Sequence, residues 1–557
     1  MTENHILLVE PGYRNKYPPL GLMKLASYHR QRGDLVQFVK GEDRSVLFTP
    51  WDRVYVTTLF SFEWKRTSET IDFAIQAAGN QPERVFVGGI AASLMHDEFV
   101  KESRWAGVRF IAGLLNGSPA QALQLSAEDG DFGADDTTGH PIEERVPDYN
   151  ILGDIDYTYP VHDAYFGYAS RGCIRKCHFC GVPKLEGAQK EMPPLYNLVN
   201  GIAEQHGHKK DLILMDNNVT ASARYKEIIA EICDLGFTIG ATLDRDGRRL
   251  KRRVDFNQGV DARILAKSPM YLKEMSKICI SPLRIAFDHI GFRKVYDIAI
   301  RMAADNGITS LSNYMLYNFM DTPDDLYARM KLNIALNEEL GIRIWSFPMR
   351  YQPVTLKDRS HIGKKWNRYY LRSFQIILQA TRGVVSGSPE FFNRAYGSDT
   401  REFMQLLSYP HGFIFNRDHY EYGEGKAVLE EYAALRRRMS AGQEEELLNY
   451  LSVPIGGEKV KQKYYSGLAG ERSVDRLIRN VISFHVLGTK DGKITKSDRV
   501  LPMFASVNHV MKRPAPVFPS EEELVEDAGL YDQEQVRQDA GELMNTNSVA
   551  RVGAGNG

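Results

Sequence analysis

Apolar and polar positions follow three rhythms along this chain. Over residues 1–120, short apolar runs at 5–10, 36–39, 54–59, 84–87 and 108–112 read as strands, and amphipathic stretches at 22–32 and 67–78 as helices. That alternation predicts a parallel, doubly wound sheet. Ligands of such sheets sit at the carboxyl ends of the strands. Here those ends carry Pro11-Gly12, Thr57-Thr58 and Gly88-Gly89, residue types that also serve as plain turns. The rhythm stops over 121–160, where Asp, Gly and Thr dominate 126–140 and Pro141 and Pro147 follow. This stretch reads as a linker.

A second alternating series predicts strands at 165–169, 212–215, 253–257, 283–287, 311–316 and 342–347. Helical patterns lie between them at 195–205, 223–235, 271–278, 294–306 and 324–340. Six βα units are too few for the closed eight-stranded barrel and suit an open, partial one. Beyond about residue 365 only helices are predicted, at 367–380, 389–395, 399–407, 426–440, 444–451 and 474–482. Their aromatics Trp366, Tyr369, Tyr370, Phe374, Phe391 and Phe392 fall at helical spacing and read as core. Residues 521–542 hold nine acidic residues and one Arg, and the small, polar 545–557 is expected to be disordered. The expected fold class is α/β. It comprises a Rossmann-like domain (1–120), a linker (121–160), a partial (βα)6 barrel (161–360), a mainly helical domain (361–515) and an acidic tail (516–557).

Charge narrows the function. The 557 residues carry 70 Lys+Arg against 71 Asp+Glu, a net of −1, which excludes a protein held on nucleic acid by its overall field. Hydrophobic residues at 43% supply real cores. No apolar run approaches the ~18 residues of a membrane span. The start, Met1-Thr2-Glu3-Asn4-His5, lacks the basic region of a signal peptide, and five cysteines cannot form a disulfide framework. A cytoplasmic protein is expected. Three of the five cysteines lie within eight residues.

They stand in Ser170-Arg171-Gly172-Cys173-Ile174-Arg175-Lys176-Cys177-His178-Phe179-Cys180-Gly181-Val182-Pro183, a Cys-x3-Cys-x2-Cys loop directly after a strand. Three thiolates on one loop can ligate three irons of a [4Fe–4S] cluster and leave the fourth open to an exogenous ligand. Zinc on the same thiols with His178 is the rival reading. Structural zinc sites usually pair two-ligand knuckles, however, and no second Cys/His pair follows. Cys233 and Cys279, on apolar helical stretches, read as packing residues.

The spacing Cys-x3-Cys-x-aromatic-Cys, with Phe179 as the aromatic, after the first strand of a βα series resembles the radical S-adenosylmethionine (SAM) superfamily. The resemblance implies the partial (βα)6 barrel and a cluster on Cys173, Cys177 and Cys180 whose open iron binds the SAM amino and carboxylate groups. It also implies reductive cleavage to a 5′-deoxyadenosyl radical, with the electron from a donor such as flavodoxin or ferredoxin. Met215-Asp216-Asn217-Asn218 stands where the family holds the SAM amine, in a form that departs from the usual Gly-Gly-Glu. Asp216 is the expected amine ligand, flanked by Asn217 and Asn218, with an Asx turn as the alternative. In Phe256-Asn257-Gln258-Gly259-Val260-Asp261-Ala262-Arg263, the resemblance suggests Gln258, Asp261 and Arg263 as SAM ribose or carboxylate contacts. Asp261 and Arg263 equally suit a helix-capping ion pair. Asp288-His289, Asn318 and Arg350-Tyr351 are substrate-side candidates by position at later strand ends.

Pro18-Pro19-Leu20-Gly21-Leu22, Thr57-Thr58-Leu59, Val87-Gly88-Gly89-Ile90 and Val146-Pro147-Asp148-Tyr149 resemble the cobalamin-binding subgroup of that superfamily. This implies a cobalamin whose nucleotide tail enters beside Thr58, Gly88 and Gly89, with Tyr13 or Arg14 near the cobalt, and methyl transfer as the reaction. No Asp-x-His-x-x-Gly motif is present, so no His ligand to cobalt is implied. A first domain kept only for docking is the alternative, as is a radical SAM enzyme without cobalamin, performing methylthiolation, rearrangement or another modification. The substrate stays open among small molecule, peptide and RNA. Residues 244–253, with six basic and two acidic side chains, read as a hairpin that either touches phosphate or is merely solvated. A different class, a zinc- or cluster-stapled nucleic-acid-binding adaptor, would use that hairpin as its contact.

Overall fold

Ile6, Leu7, Leu8 and Val9 are completely buried, as an unbroken apolar run must be when a strand is covered on both faces. A computed structural model describes residues 4–125, 140–385, 388–455 and 458–486. The acidic stretch 521–542 and the 545–557 segment lie outside the described residues. Contacts divide the chain into two units. The first takes Met1–Ala286, Met302–Ser310 and Gln352–His361. The second takes Phe287–Arg301, Leu311–Tyr351 and the described residues from Ile362 onward.

In the first unit, strands β1 (His5–Glu10), β2 (Leu35–Lys40), β3 (Arg53–Thr58), β4 (Val85–Gly89) and β5 (Arg109–Phe110) form one sheet. Its order is β2-β1-β3-β4-β5 and every pair is parallel. The strand order reverses at β1/β3, the position where doubly wound sheets open a crevice. Leu7, Val9, Val54, Val56, Val85 and Val87 build one core with Phe99, Trp105 and Phe110. The β2 edge is covered, since the Phe38 amide donates to Asp154 Oδ2 at 3.0 Å. Residues 142–159, expected to be linker, are therefore packed chain: Ile142, Ile151 and Tyr159 are buried. Arg30 pairs with Asp148 at 2.5 Å, and the Tyr149 hydroxyl donates to the Ala164 carbonyl at 2.8 Å. Side chains from the sheet's first helix, Leu20–Gln31, reach across to this segment, which sequence periodicity cannot show.

The same unit holds β6 (Ala164–Gly167), the short antiparallel pair β7 (Ser170–Arg171) and β8 (Lys190–Glu191), and β9 (Asp211–Leu214). An antiparallel hairpin follows, β10 (Thr242–Arg245) and β11 (Arg248–Lys251), then β12 (Val254–Phe256) and the brief β13 (Leu283–Arg284). Strands β12, β9 and β6 make a parallel sheet in that order. The hairpin turns on Asp246 and Gly247, both at positive φ (52° and 71°), the conformation that a two-residue loop of the primed type requires. Two helices replace the one expected over 271–278: Ala262–Lys267, capped by Asp261, and Pro269–Met275, capped by Ser268. The caps carry the boundary there, because each short helix shows less than two turns of periodicity.

In the second unit, β15 (Arg343–Arg350) packs against helix Pro323–Leu340, and β14 (Ser310–Tyr317), from Leu311 on, meets the same helix at Met315 and Leu316. Arg329 of that helix is fully buried. It donates to the carbonyls of Phe287 (3.0 Å) and Leu316 (2.8 Å) and to Asp321 Oδ2 (3.1 Å). The helical remainder closes over Tyr369, Phe413, Tyr432, Leu447, Ile478 and Phe484. Trp366, Tyr369, Phe374 and Phe392 are buried core residues, as expected.

The sheet of the first unit yields a direct test. Gly89 lies at φ 99°, and a Cβ there would stand 2.4 Å from the Thr58 carbonyl oxygen. Gly89→Ala is expected to cost about 1–3 kcal/mol and lower the thermal unfolding midpoint. Gly88→Ala, whose nearest neighbour lies at 3.8 Å, is expected to leave it unchanged. Identical melting of the two variants would refute the assignment.

Candidate functional site

The cysteine loop is built from its neck. β7 and β8 pair Ser170 with Glu191 and Arg171 with Lys190, so the chain enters and leaves the loop side by side. Gly172 follows at φ 78°, and a Cβ on it would lie 2.3 Å from the Ala188 carbonyl oxygen, so only glycine fits. Cys173 N donates to the Gly187 carbonyl at 3.3 Å. Asp216, at the end of β9 and wholly buried, accepts from the amides of Ala169 (3.0 Å) and Ser170 and from the Ser170 hydroxyl (2.8 Å). Glu186 Oε2 accepts from Gly172 N at 2.7 Å and from Asn217 Nδ2 at 2.8 Å. Arg171 lies over the Tyr168 ring at 3.8 Å and within ion-pair range of Glu186 (3.4 Å) and Glu143 (3.8 Å). Lys24, from the first helix, reaches the same Glu143 at 3.1 Å.

Within the loop, residues alternate in burial. Cys173, Arg175, Cys177 and Phe179 are half-buried, whereas Ile174, Lys176, His178 and Cys180 are exposed. All five cysteines of the chain are thiols without disulfides. Burial raises the Cys173 thiol, and the Arg175 amide, 3.4 Å from its Sγ, opposes that. In number and kind, three sulfurs on one necked loop with an N–H aimed at one of them fit an iron–sulfur cluster. No group of three or more His, Cys, Asp or Glu stands at metal-holding distances among the described residues, so the thiols are not converged. Cys279 is buried, which pushes its thiol up to about 11, and Cys233 is half-buried; neither lies in the loop.

Arg175 joins the loop to the motif after β12. Its Nε donates to Asp261 Oδ2 at 2.8 Å, and Arg263 donates to both oxygens of the same carboxylate, at 2.9 and 3.0 Å. Burial would raise Asp261, but Arg263 and Arg175 outweigh it and hold the carboxyl below its ordinary value. Asp261 also caps helix Ala262–Lys267 through the Arg263 amide. The capping reading therefore stands, and two guanidiniums share one carboxylate beside the cysteines. Gln258 is exposed at the turn after β12. The structure gives Asp216 a different place from the expected amine ligand, since its hydrogen bonds face the loop backbone and no surface is open. Asn217 bonds Glu186, and Asn218, also buried, accepts from Thr220 Oγ1 at 2.8 Å.

At the N-terminal sheet, Thr58 is internal. Its hydroxyl donates to the Gly88 carbonyl and accepts from the Ala92 amide, both at 2.8 Å. Gly89 is exposed and Gly88 half-buried. Tyr13 is buried against Thr67, and burial raises its hydroxyl to about 12, whereas Arg14 is exposed. Of the residues expected around a cobalamin, Gly88, Gly89 and Arg14 keep accessible surface.

The later strand ends are clasped. Asn318, buried at φ 67°, donates to the Tyr351 carbonyl at 3.2 Å and accepts from Gly363 N at 2.8 Å. His289 is buried and accepts from the Gly291 amide at 3.0 Å; Asp288 and Arg350 are half-buried. The basic hairpin is partly spent as well. Arg245 pairs with Asp163 at 2.8 Å, Arg253 with Asp211 at 2.5 Å, and Arg252 is buried over Phe237 at 3.5 Å. Glu186, Glu143 and Arg175 are the site residues that sequence reasoning missed. Glu186 and Arg175 lie close enough to the cysteines in sequence to have been weighed, whereas nothing local marks Glu143.

No protein-family model matches the chain, and no curated protein matches it in sequence. Among solved structures it is similar to the radical S-adenosylmethionine methyltransferase TsrM from Kitasatospora setae with cobalamin and a [4Fe–4S] cluster bound. The match has 14% identity and a TM-score of 0.41, over 64% of this chain and 78% of that one. The same enzyme with tryptophan substrate and the SAM analogue aza-SAM matches at 14% identity and a TM-score of 0.42, over 64% and 76%.

Asp216 generates a pH prediction. Burial raises its carboxyl from 3.8 to about 6, against the pull of the Ala169 and Ser170 hydrogen bonds. Between those values the folded state holds the extra proton. Its contribution to stability is thus complete below the lower value and lost as pH rises through the upper one. Asp216→Asn, which cannot ionise, is expected to flatten this part of the stability profile in denaturant unfolding at stepped pH from 4 to 7. An unchanged slope would exclude Asp216 as the titrating group.

Proposed function

We propose that this chain is a radical S-adenosylmethionine enzyme whose cluster is held by Cys173, Cys177 and Cys180. The observation that carries the reading is the necked loop, which places three thiols after a parallel β-strand with its root backbone fixed by buried carboxylates. A [4Fe–4S] cluster bound there supplies the electron that breaks the sulfonium C–S bond of S-adenosylmethionine. Arg175 and Arg263 share Asp261 at the loop's flank, and guanidiniums suit the carboxylate of an amino-acid ligand. The parallel β12-β9-β6 sheet of the first unit supports the βα succession expected of this superfamily. An external one-electron donor of the flavodoxin or ferredoxin type completes the reaction.

Within the same proposal, cobalamin on the N-terminal sheet makes the enzyme a methyltransferase. The strand order that opens at β1/β3 and the accessible Gly88-Gly89 end of β4 support this. Thr58 serves it only by holding the turn after β4. The adaptor reading is weakened, because Arg245, Arg252 and Arg253 are tied to the chain's own residues, which leaves only Arg248, Arg249 and Lys251 of the six basic residues exposed and outside these contacts.

Anaerobic reconstitution with iron and sulfide is expected to load about four of each per chain. Reduction with S-adenosylmethionine is then expected to release 5′-deoxyadenosine. Alanine at Cys173, Cys177 or Cys180 should abolish both, whereas alanine at Cys233 or Cys279 should abolish neither. Stoichiometric zinc, or SAM cleavage retained in any of the first three variants, would overturn the assignment. Titration of apo-protein with hydroxocobalamin, followed by its visible spectrum, is expected to saturate at one per chain. Absence of binding would leave a radical SAM enzyme without cobalamin.

A further inference from the structure

We propose that Glu186 is the positioning residue of the cysteine loop, a carboxylate clamp that sets the backbone from which Cys173 projects. It stands six residues after Cys180, outside the cysteine motif. Its Oε2 meets the amide of Gly172, the side chain of Asn217 and, at longer range, the guanidinium of Arg171, at 2.7, 2.8 and 3.4 Å. One buried oxygen thereby joins the residue before the first cysteine, the turn after β9 and the neck strand β7.

Two features make the clamp necessary. The neck ladder is only two residues per strand, too short to hold a loop in register by itself. Gly172 must be glycine, because any side chain would strike Ala188, and glycine is the residue with the widest backbone freedom. The position beside Cys173 therefore has no side chain of its own to restrain it, and its amide is restrained by Glu186. A charged acceptor makes this a strong, directional bond. The negative charge is balanced by Arg171, itself shared with Glu143.

The cluster arm of the test rests on the reading of the three cysteines as cluster ligands; the exchange arm does not. The full chain, E186A and E186Q are compared. Amide hydrogen exchange of residues 169–173 in apo-protein reads the neck. Iron per chain, the electron paramagnetic resonance signature and the midpoint potential of the reduced cluster read the loop after anaerobic reconstitution. E186A is expected to exchange at least tenfold faster at 169–173 and to bind less than half the iron of the parent. E186Q keeps an oxygen acceptor for Gly172 but loses the charge facing Arg171. It is expected to restore slow exchange and full iron while shifting the potential. Parent-like exchange in E186A, or a parent-like potential in E186Q, overturns the clamp. If E186A fails to fold, the E186Q potential alone decides in the same sense. Fast exchange in E186A with no cluster in the parent would support the clamp and count against the cluster reading instead.

Discussion

Everything at the candidate site depends on buried carboxylates turned toward backbone amides at the neck of the cysteine loop. Between them, Asp216 and Glu186 receive the amides of Ala169, Ser170 and Gly172. Removing a carboxylate from water is unfavourable, as the raised Asp216 value shows. The arrangement persists because the amides that meet it would otherwise be buried without acceptors. A loop carrying three thiols cannot hide its own backbone in a helix or strand. Its root must be satisfied from outside, and these two acids do so.

Much of the fold was legible because periodicity reports burial. The run Ile6-Leu7-Leu8-Val9 and the βα succession through Leu212–Leu214 read directly as strands, and the helical aromatics read directly as core. Short elements did not. Ala262–Lys267, His411–Phe415 and Arg417–Tyr422 each span less than two turns, so their boundaries come from caps and packing and not from a repeating face. Residues 142–159 misled composition altogether. Pro141, Pro147 and the absence of apolar periodicity suggested a linker, yet Glu143, Asp148 and Asp154 are engaged by Lys24, Arg30 and the Phe38 amide.

At the site, residue type was legible and direction was not. The cysteine spacing marked the loop, and Asp216 and Asp261 stood out in the sequence as acids near strand ends. Which way each acid faces is decided by partners distant in sequence. Asp216 turns inward to residues 169–170, whereas Asp261 turns toward Arg175, 86 positions earlier. Charge density left two readings open over 244–253, a phosphate contact or a solvated hairpin, and the structure adds that three of the six basic side chains are engaged, Arg245 with Asp163, Arg253 with Asp211 and Arg252 over Phe237.

The neck also connects the loop to the sheet within the first unit. Lys24, on the helix that covers β1 and β2, is buried beneath Glu143, which stands within ion-pair range of Arg171, which in turn stands within range of Glu186. Alternating charges in a buried line are stable only together, because removing one leaves its neighbours desolvated and unpaired. Burial lowers Lys24, and Glu143, from the segment between sheet and loop, opposes that shift. The geometry of the cysteine neck is therefore not a local property of its motif. It is set jointly by a helix of the N-terminal sheet, by the packed segment that follows it and by the turn after β9. That dependence accounts for a cysteine motif readable in isolation whose supporting residues are scattered over more than 190 positions, from Lys24 to Asn217.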